Sequence, residues 1–334
     1  MTTDQHAPSD AEVAVIGAGV AGLSAALTLG RACRRVVLYD HGPPRNAAVA
    51  HAHGLLTRDG ASPTELRRIG LEELAAYDVD VRRAEVVSVE RAGDHFEIES
   101  TDHSKGGPTR AGPRRAGAPS ATRGSMAVRA VILATGVLDV LPEIPGLAAL
   151  WGDRVVHCPY CDGWERRNQP LAVLGHGHEM VGLALLLYQW SRDVRLVTNG
   201  EPLNDEDRGR LASRDLSAST ASVREIVREG DRVVMRLDGG GRKEEVVVHS
   251  IFAHAAQRQR STLPASLGCA LQKEPDSHLL KVSEWGETSV PGVYAVGDMT
   301  TLSQQISFGI AAGAAAAVHL NHALIAGVPA ESTV

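Results

Sequence analysis

The feature that most limits the fold of this chain is a glycine triplet wedged between a strand and a helix. Glu12-Val13-Ala14-Val15-Ile16 is a β-branched run of the kind that forms a buried parallel strand. Gly17-Ala18-Gly19-Val20-Ala21-Gly22 follows at once, and Leu23 to Leu29 reads as a helix. A second strand, Val36 to Tyr39, ends in Asp40. Glycines at 17, 19 and 22 suit a tight turn, close approach of a pyrophosphate and packing of helix on strand. The helix N-terminus offers an anion site, and Asp40 stands where a ribose hydroxyl needs an acceptor. The spacing therefore predicts dinucleotide binding through Gly17, Ala18, Gly19, Ala21, Gly22 and Asp40.

The pattern occurs again. Leu171 to Leu174 is followed by Gly175-His176-Gly177-His178-Glu179-Met180, a helix predicted over Val181 to Ser191, and a strand over Val194 to Val197. Further on, Val290 to Val296 runs as a strand into Gly297-Asp298, and a long Ala-rich helix is predicted from Ile306 to Leu324. Two nucleotide-type units point to an α/β protein with two Rossmann-like, three-layer (ββα) domains of the flavoprotein disulfide reductase type. The expected division is 11–147 with 262–330 for one domain and 148–261 for the other.

The rest of the sequence narrows the class. The 334 residues are 43% hydrophobic and 22% charged with a net charge of −6, a globular composition with no overall charge for a nucleic-acid backbone. Met1 to Glu12 is polar, without the apolar stretch of a signal peptide, and no run approaches 18 consecutive apolar residues free of charge. A cytoplasmic address and no membrane span are expected. Residues 104–125 hold five Gly, three Pro and five Lys or Arg with no Asp or Glu. They interrupt a meander running from Phe96-Glu97-Ile98-Glu99 to Val128–Leu133, and a flexible, basic surface loop is expected there.

Chemistry is concentrated in His157-Cys158-Pro159-Tyr160-Cys161-Asp162-Gly163-Trp164-Glu165. A Cys-x-x-Cys binds zinc or works as a redox pair. Structural zinc wants four ligands, and Cys33 and Cys269 stand alone, so the redox pair is the better reading. A thiolate at a helix start has a depressed pKa and exchanges rapidly with disulfides. Asp162, directly after Cys161, is a candidate proton relay, with His157 as a second.

In their order along the chain, the first glycine loop, Ala134-Thr135-Gly136, Cys158-x-x-Cys161-Asp162, the second glycine loop and Gly297-Asp298 resemble the low-molecular-weight thioredoxin reductases. The resemblance spans about residues 11 to 325. It implies a FAD domain made from two stretches of sequence, a central domain with the dithiol, and a homodimer. It further implies that Cys158 exchanges with substrate, that Cys161 faces the flavin, and that Asp162 relays protons. Ala134, Thr135, Gly136, Gly297, Asp298 and Ile306 fall at flavin-binding positions of that plan, as do Arg45, Asn46, His53, Val86 and Gln305.

The chain departs from the family at the nicotinamide site. Where a reductase has Gly-Gly-Gly-Asp-Ser-Ala, Glu179 puts an anion at the place of the pyrophosphate and Met180 replaces a small residue. The next strand ends in Thr198-Asn199-Gly200 instead of His-Arg-Arg. NADPH binding is therefore not expected. FAD and a dithiol without NADPH resemble the dithiol oxidases of holomycin and gliotoxin biosynthesis. That likeness implies oxidation of a small-molecule dithiol, of the dithiolopyrrolone type, with O2 as acceptor.

Overall fold

The computed structural model describes residues 11–102, 122–273 and 277–327. These residues form two compact units. One comprises the chain up to Arg45, Thr64–Leu138 and the chain from Arg258; the other comprises Asn46–Pro63 and Asp139–Gln257.

In the first unit a parallel sheet has the order Val293–Ala295, Ala130–Leu133, Val13–Ile16, Val36–Tyr39, Val79–Arg82. All but the edge strand Val79–Arg82 are buried on both faces, and the period of two along each strand sorts their side chains. Val13, Val15, Val36 and Leu38 pack with the helices Val20–Arg31 and Ile306–Ala326. Ala14, Ile16, Val37 and Tyr39 face the other way, toward Val89, Phe96, Ile98 and Val128 of an antiparallel sheet. That sheet has the order Ala84–Ala92, His95–Asp102, Thr122–Val128. Helices, parallel sheet and antiparallel sheet make three layers.

The second unit repeats this plan. Its parallel sheet has the order Ser217–Ser219, Val194–Val197, Leu171–Leu174, Ser250–Ala253, Val155–Val156. Leu171, Val173 and Leu196 pack under Val181, Ala184 and Leu187 of the helix His178–Leu187. Ala172, Leu174 and Ile251 face Ile226, Val233, Met235 and Val246 of an antiparallel sheet of three strands, Ser222–Glu229, Arg232–Gly239 and Arg242–Val248. The fold is thus α/β with two nucleotide-binding units, as the two glycine loops predict.

Several expectations need correction. The chain passes between units at Leu138–Asp139 and Gln257–Arg258, not near 147 and 261. Both passages lie in paired strands, Val137–Val140 and Ala256–Gln259, and an extended crossover leaves no break in composition. Residues 128–133 are not one strand. Thr122–Val128 belongs to the antiparallel sheet and Ala130–Leu133 to the parallel one, with the Arg129 amide donating to the Glu12 carbonyl (2.8 Å) at the switch. Residues 122–125 of the expected loop are therefore strand, and 104–121 lie outside the described residues. The two helices after the glycine loops begin earlier than predicted, at Val20 and at His178.

One helix bears on the expectation of no membrane span. Ile306–Ala326 is 21 residues without Asp, Glu, Lys or Arg, long and apolar enough to cross a membrane. Ser307, Asn321 and two histidines break up consecutive apolar residues there without adding fixed charge. A core helix meets the same criterion, and here Gly313, Ala316, Ala317 and Leu320 are buried in the first unit's core. Gly327, with φ of 66°, ends the helix in the left-handed conformation.

Candidate functional site

The first glycine loop is shaped for close approach. Gly17 has φ of 112°, and a Cβ there would overlap the carbonyl oxygen of Ala134. A Cβ on Gly22 would overlap the carbonyl of Gly17, whereas one on Gly19 would meet nothing within 4 Å. Two glycines thus permit backbone packing and the middle one leaves open space. Gly19 caps Val20–Arg31 without any side-chain bond to the first amides, so these donors remain for an anion.

The acids around this loop are held by cations. Asp40 pairs with Arg67, whose Nε also donates to the Ala18 carbonyl (3.3 Å). Asp298 pairs with Arg45 (3.0 Å), and Arg45 reaches Gln304 (2.6 Å). Gly297 lies against the loop, since a Cβ on it would stand 3.1 Å from that of Ala21. The Ala134 amide donates to the Ile16 carbonyl (2.8 Å), the Thr135 hydroxyl lies 3.8 Å from Met299 Sδ, and Gly136 has φ of 70°. Gln305 caps Ile306–Ala326 and, like Gly19, leaves the first amides without a side-chain acceptor.

Most of the predicted flavin positions therefore lie in one unit. Arg67 and Gln304 were missed, because their role comes from contacts with acids distant in sequence. Val86 is in this unit too, but its side chain is part of the core. Asn46 and His53 belong to the second unit, where His53 lies 3.5 Å from Asp59 and 3.6 Å from Glu165. Open space over Gly19, two uncapped helix starts and two anchored acids fit a flavin dinucleotide.

The second unit carries the dithiol. Cys158 and Cys161 are joined as a disulfide, with their Cα atoms 5.2 Å apart. Cys158 caps the helical turn Pro159–Asp162, and its Sγ accepts from the Cys161 amide (3.1 Å). That donor would favour the thiolate once the bond opens. Burial raises the pKa of Asp162 above its ordinary value. Arg166 pulls it back, Glu165 adds to the rise and His53 opposes it. His157 stacks on Trp151 with ring centroids 6.0 Å apart. Tyr160 within the turn and Trp164 just beyond it are both about two-thirds exposed, at 66% and 65%.

The second glycine loop has the backbone of a dinucleotide site with different side chains. Gly175 and Gly177 have φ of 142° and 86°. Met180 fills the space over Gly175, its Cγ 3.1 Å from where a Cβ would sit. Glu179 is exposed in the helix's first turn. Beyond Val194–Val197, Thr198 is buried and donates to the Glu201 carbonyl, and the Asn199 side chain accepts from the Val223 amide (2.8 Å). Arg210 lies at the helix start, already engaged by Asp207 (3.1 Å) and His178 (2.8 Å).

Comparison with known proteins agrees with this construction. The model of the pyridine nucleotide-disulphide oxidoreductase family matches residues 11–317. The chain is 32% identical to "Thioredoxin reductase tcpT" of Claviceps purpurea, over 90% of this chain and 89% of that protein. It is 30% identical to "Thioredoxin reductase sirT" of Leptosphaeria maculans, over 94% of each. Among solved structures, HlmI matches with 38% identity and a TM-score of 0.82, over 95% of this chain and 93% of that one. The putative thioredoxin reductase TrxB of Bacillus anthracis matches with 29% identity and a TM-score of 0.82, over 95% and 99%. A FAD-type cradle, a disulfide in a Cys-x-x-Cys turn and a family match over nearly the whole chain lead to one conclusion: this protein belongs to the pyridine nucleotide-disulphide oxidoreductases, an FAD-dependent family, and is of the thioredoxin reductase type.

Proposed function

We propose that this protein is an FAD-dependent dithiol oxidase that closes an intramolecular disulfide in a small-molecule dithiol, of the dithiolopyrrolone type or similar. The supporting observation is the second glycine loop. Glu179 occupies the first helical turn, and the neighbouring strand runs into Thr198 and Asn199 with no cation to hold a 2′-phosphate.

In this reading a substrate thiolate attacks Cys158, breaking the Cys158–Cys161 bond and forming a mixed disulfide. The substrate's second thiol then attacks that bond, releases Cys158 and leaves as the cyclic disulfide. Asp162, with His157 nearby in sequence, handles the protons. The residues that would hold FAD are Gly17, Gly19, Gly22, Asp40, Thr135, Asp298 and the start of Ile306–Ala326. FAD, when bound, would supply an acceptor for the two electrons of the enzyme dithiol and a route from there to O2. The balance is one dithiol and one O2 consumed, one cyclic disulfide and one H2O2 formed. We place the enzyme in the cytoplasm as a homodimer, with no nucleic-acid or membrane partner.

A second reading is an NADPH-dependent thioredoxin reductase, or a reductase fed by a carrier protein; the names of the similar fungal proteins favour it. Anaerobic mixing with NADPH decides between donors. The oxidase leaves its flavin unbleached with NADPH, and consumes oxygen steadily when given a suitable dithiol. Prompt bleaching by NADPH would defeat the proposal.

A further inference from the structure

Arg166 follows Asp162 by one helical turn, and its side chain is only 12% exposed. Its guanidinium donates to the Asp162 carboxylate (3.1 Å) and to the Asp162 main-chain oxygen (2.9 Å). It also donates to the main-chain oxygen of Asp153 (2.6 Å) and, through Nε, to the Ser250 hydroxyl (3.2 Å). Exposed ion pairs contribute little, because water competes and two long side chains must be ordered. A buried planar fork with four acceptors differs, since its geometry is set in advance.

The far side of this fork is itself anchored. Ser250 is fully buried, and its hydroxyl also meets His249 Nδ1 at 2.9 Å. Arg154 lies 2.8 Å from His249 Nε2. An arginine only donates, so Nε2 is the acceptor and Nδ1 carries its hydrogen toward Ser250. Burial, with Arg154, Arg166 and Arg232, holds His249 below its ordinary pKa, against the smaller influence of Asp231. His249 and Ser250, the groups next to Arg166 on this side, thus carry no charge around neutrality and Arg154 keeps its charge throughout, so the changing partner is Asp162.

We propose that Arg166 is the positioning residue of the redox turn, holding the Asp162 carboxyl in place to give a proton to the sulfur released when the Cys158–Cys161 bond opens. The proposal rests on the reading of that pair as the working dithiol, and on no choice of electron donor or acceptor. In the step, an incoming thiolate bonds to one enzyme sulfur while the Cys158–Cys161 bond breaks. The other sulfur leaves with the electron pair and takes the proton of Asp162, which becomes a carboxylate facing Arg166. The other charged groups bearing on Asp162 are Glu165 and, from the segment 46–63, His53 with its partner Asp59.

The test is anaerobic reduction of the full-length holoenzyme by dithiothreitol, read as titratable thiols in quenched samples across mildly acidic to mildly alkaline pH. Divided by the thiolate fraction of dithiothreitol at each pH, the wild-type rate should fall at high pH through a limb that Asp162→Asn abolishes. In Arg166→Met that limb should move up by about 1–3 pH units, because the carboxyl loses its cation. Arg166→Lys keeps the charge but loses the fork, so its limb should stay near that of the wild type while the rate falls about tenfold. An unmoved limb in Arg166→Met, or wild-type speed in Arg166→Lys, would overturn the proposal. If Arg166→Met does not fold, Arg166→Lys and Ser250→Ala decide: slowing in both supports it, and wild-type rates in both overturn it. Neither oxygen nor NADPH enters this assay, so failure of the oxidase reading shows only in the oxygen and NADPH measurements.

Discussion

The carbonyl of Ala21 on one helix points at the Cα of Gly313 on another so closely that a Cβ on Gly313 would overlap it and stand 3.1 Å from the Ala25 amide nitrogen. The two helices meet backbone to backbone over the first glycine loop. Gly313→Ala should therefore force the helices apart and lower stability by about 1–3 kcal/mol, seen as a lower Tm. An unchanged Tm would mean that this contact has slack.

The cradle and the dithiol lie in different units, so they should fail separately. Cys158→Ser and Cys161→Ser should each lose dithiol-dependent oxygen uptake by at least about a thousandfold, while the purified proteins stay yellow with bound FAD. Colourless variants would contradict that separation.

Glu179 stands at the start of its helix, where the N–H groups attract anions. Glu179→Ser should tighten NADPH binding by roughly two- to fivefold, the effect of one charge near a helix terminus. Equilibrium dialysis checks this, and unaltered binding would clear Glu179 of blame.

Asp207 is buried, which pushes its pKa up, but donors from Arg210, Asn204 and His178 outweigh burial and hold it below the ordinary value. The carboxylate therefore contributes stability above its unfolded-state pKa and loses it as pH falls through the lower folded-state value. Asp207→Asn should lower Tm at neutral pH, and the gap should close in acid. A gap that widens on acidification would reverse the sign of the argument.

Local signals carried much of this protein. Both nucleotide-type units were legible because a glycine triplet between a β-branched run and a helix is a local demand of backbone geometry. The redox turn was legible because a disulfide between residues 158 and 161 is closed by the chain itself. What pairs across long stretches was not legible. Arg67 on Asp40, Arg45 on Asp298 and Arg166 on Ser250 each join residues separated by 27, 253 and 84 positions. The pairing of His53 with Glu165, 112 positions on, was equally hidden. Sequence determines which backbones form and where thiols sit. Which cation holds which acid, and where the chain crosses between units, is decided only when distant segments compete for the same buried hydrogen bonds.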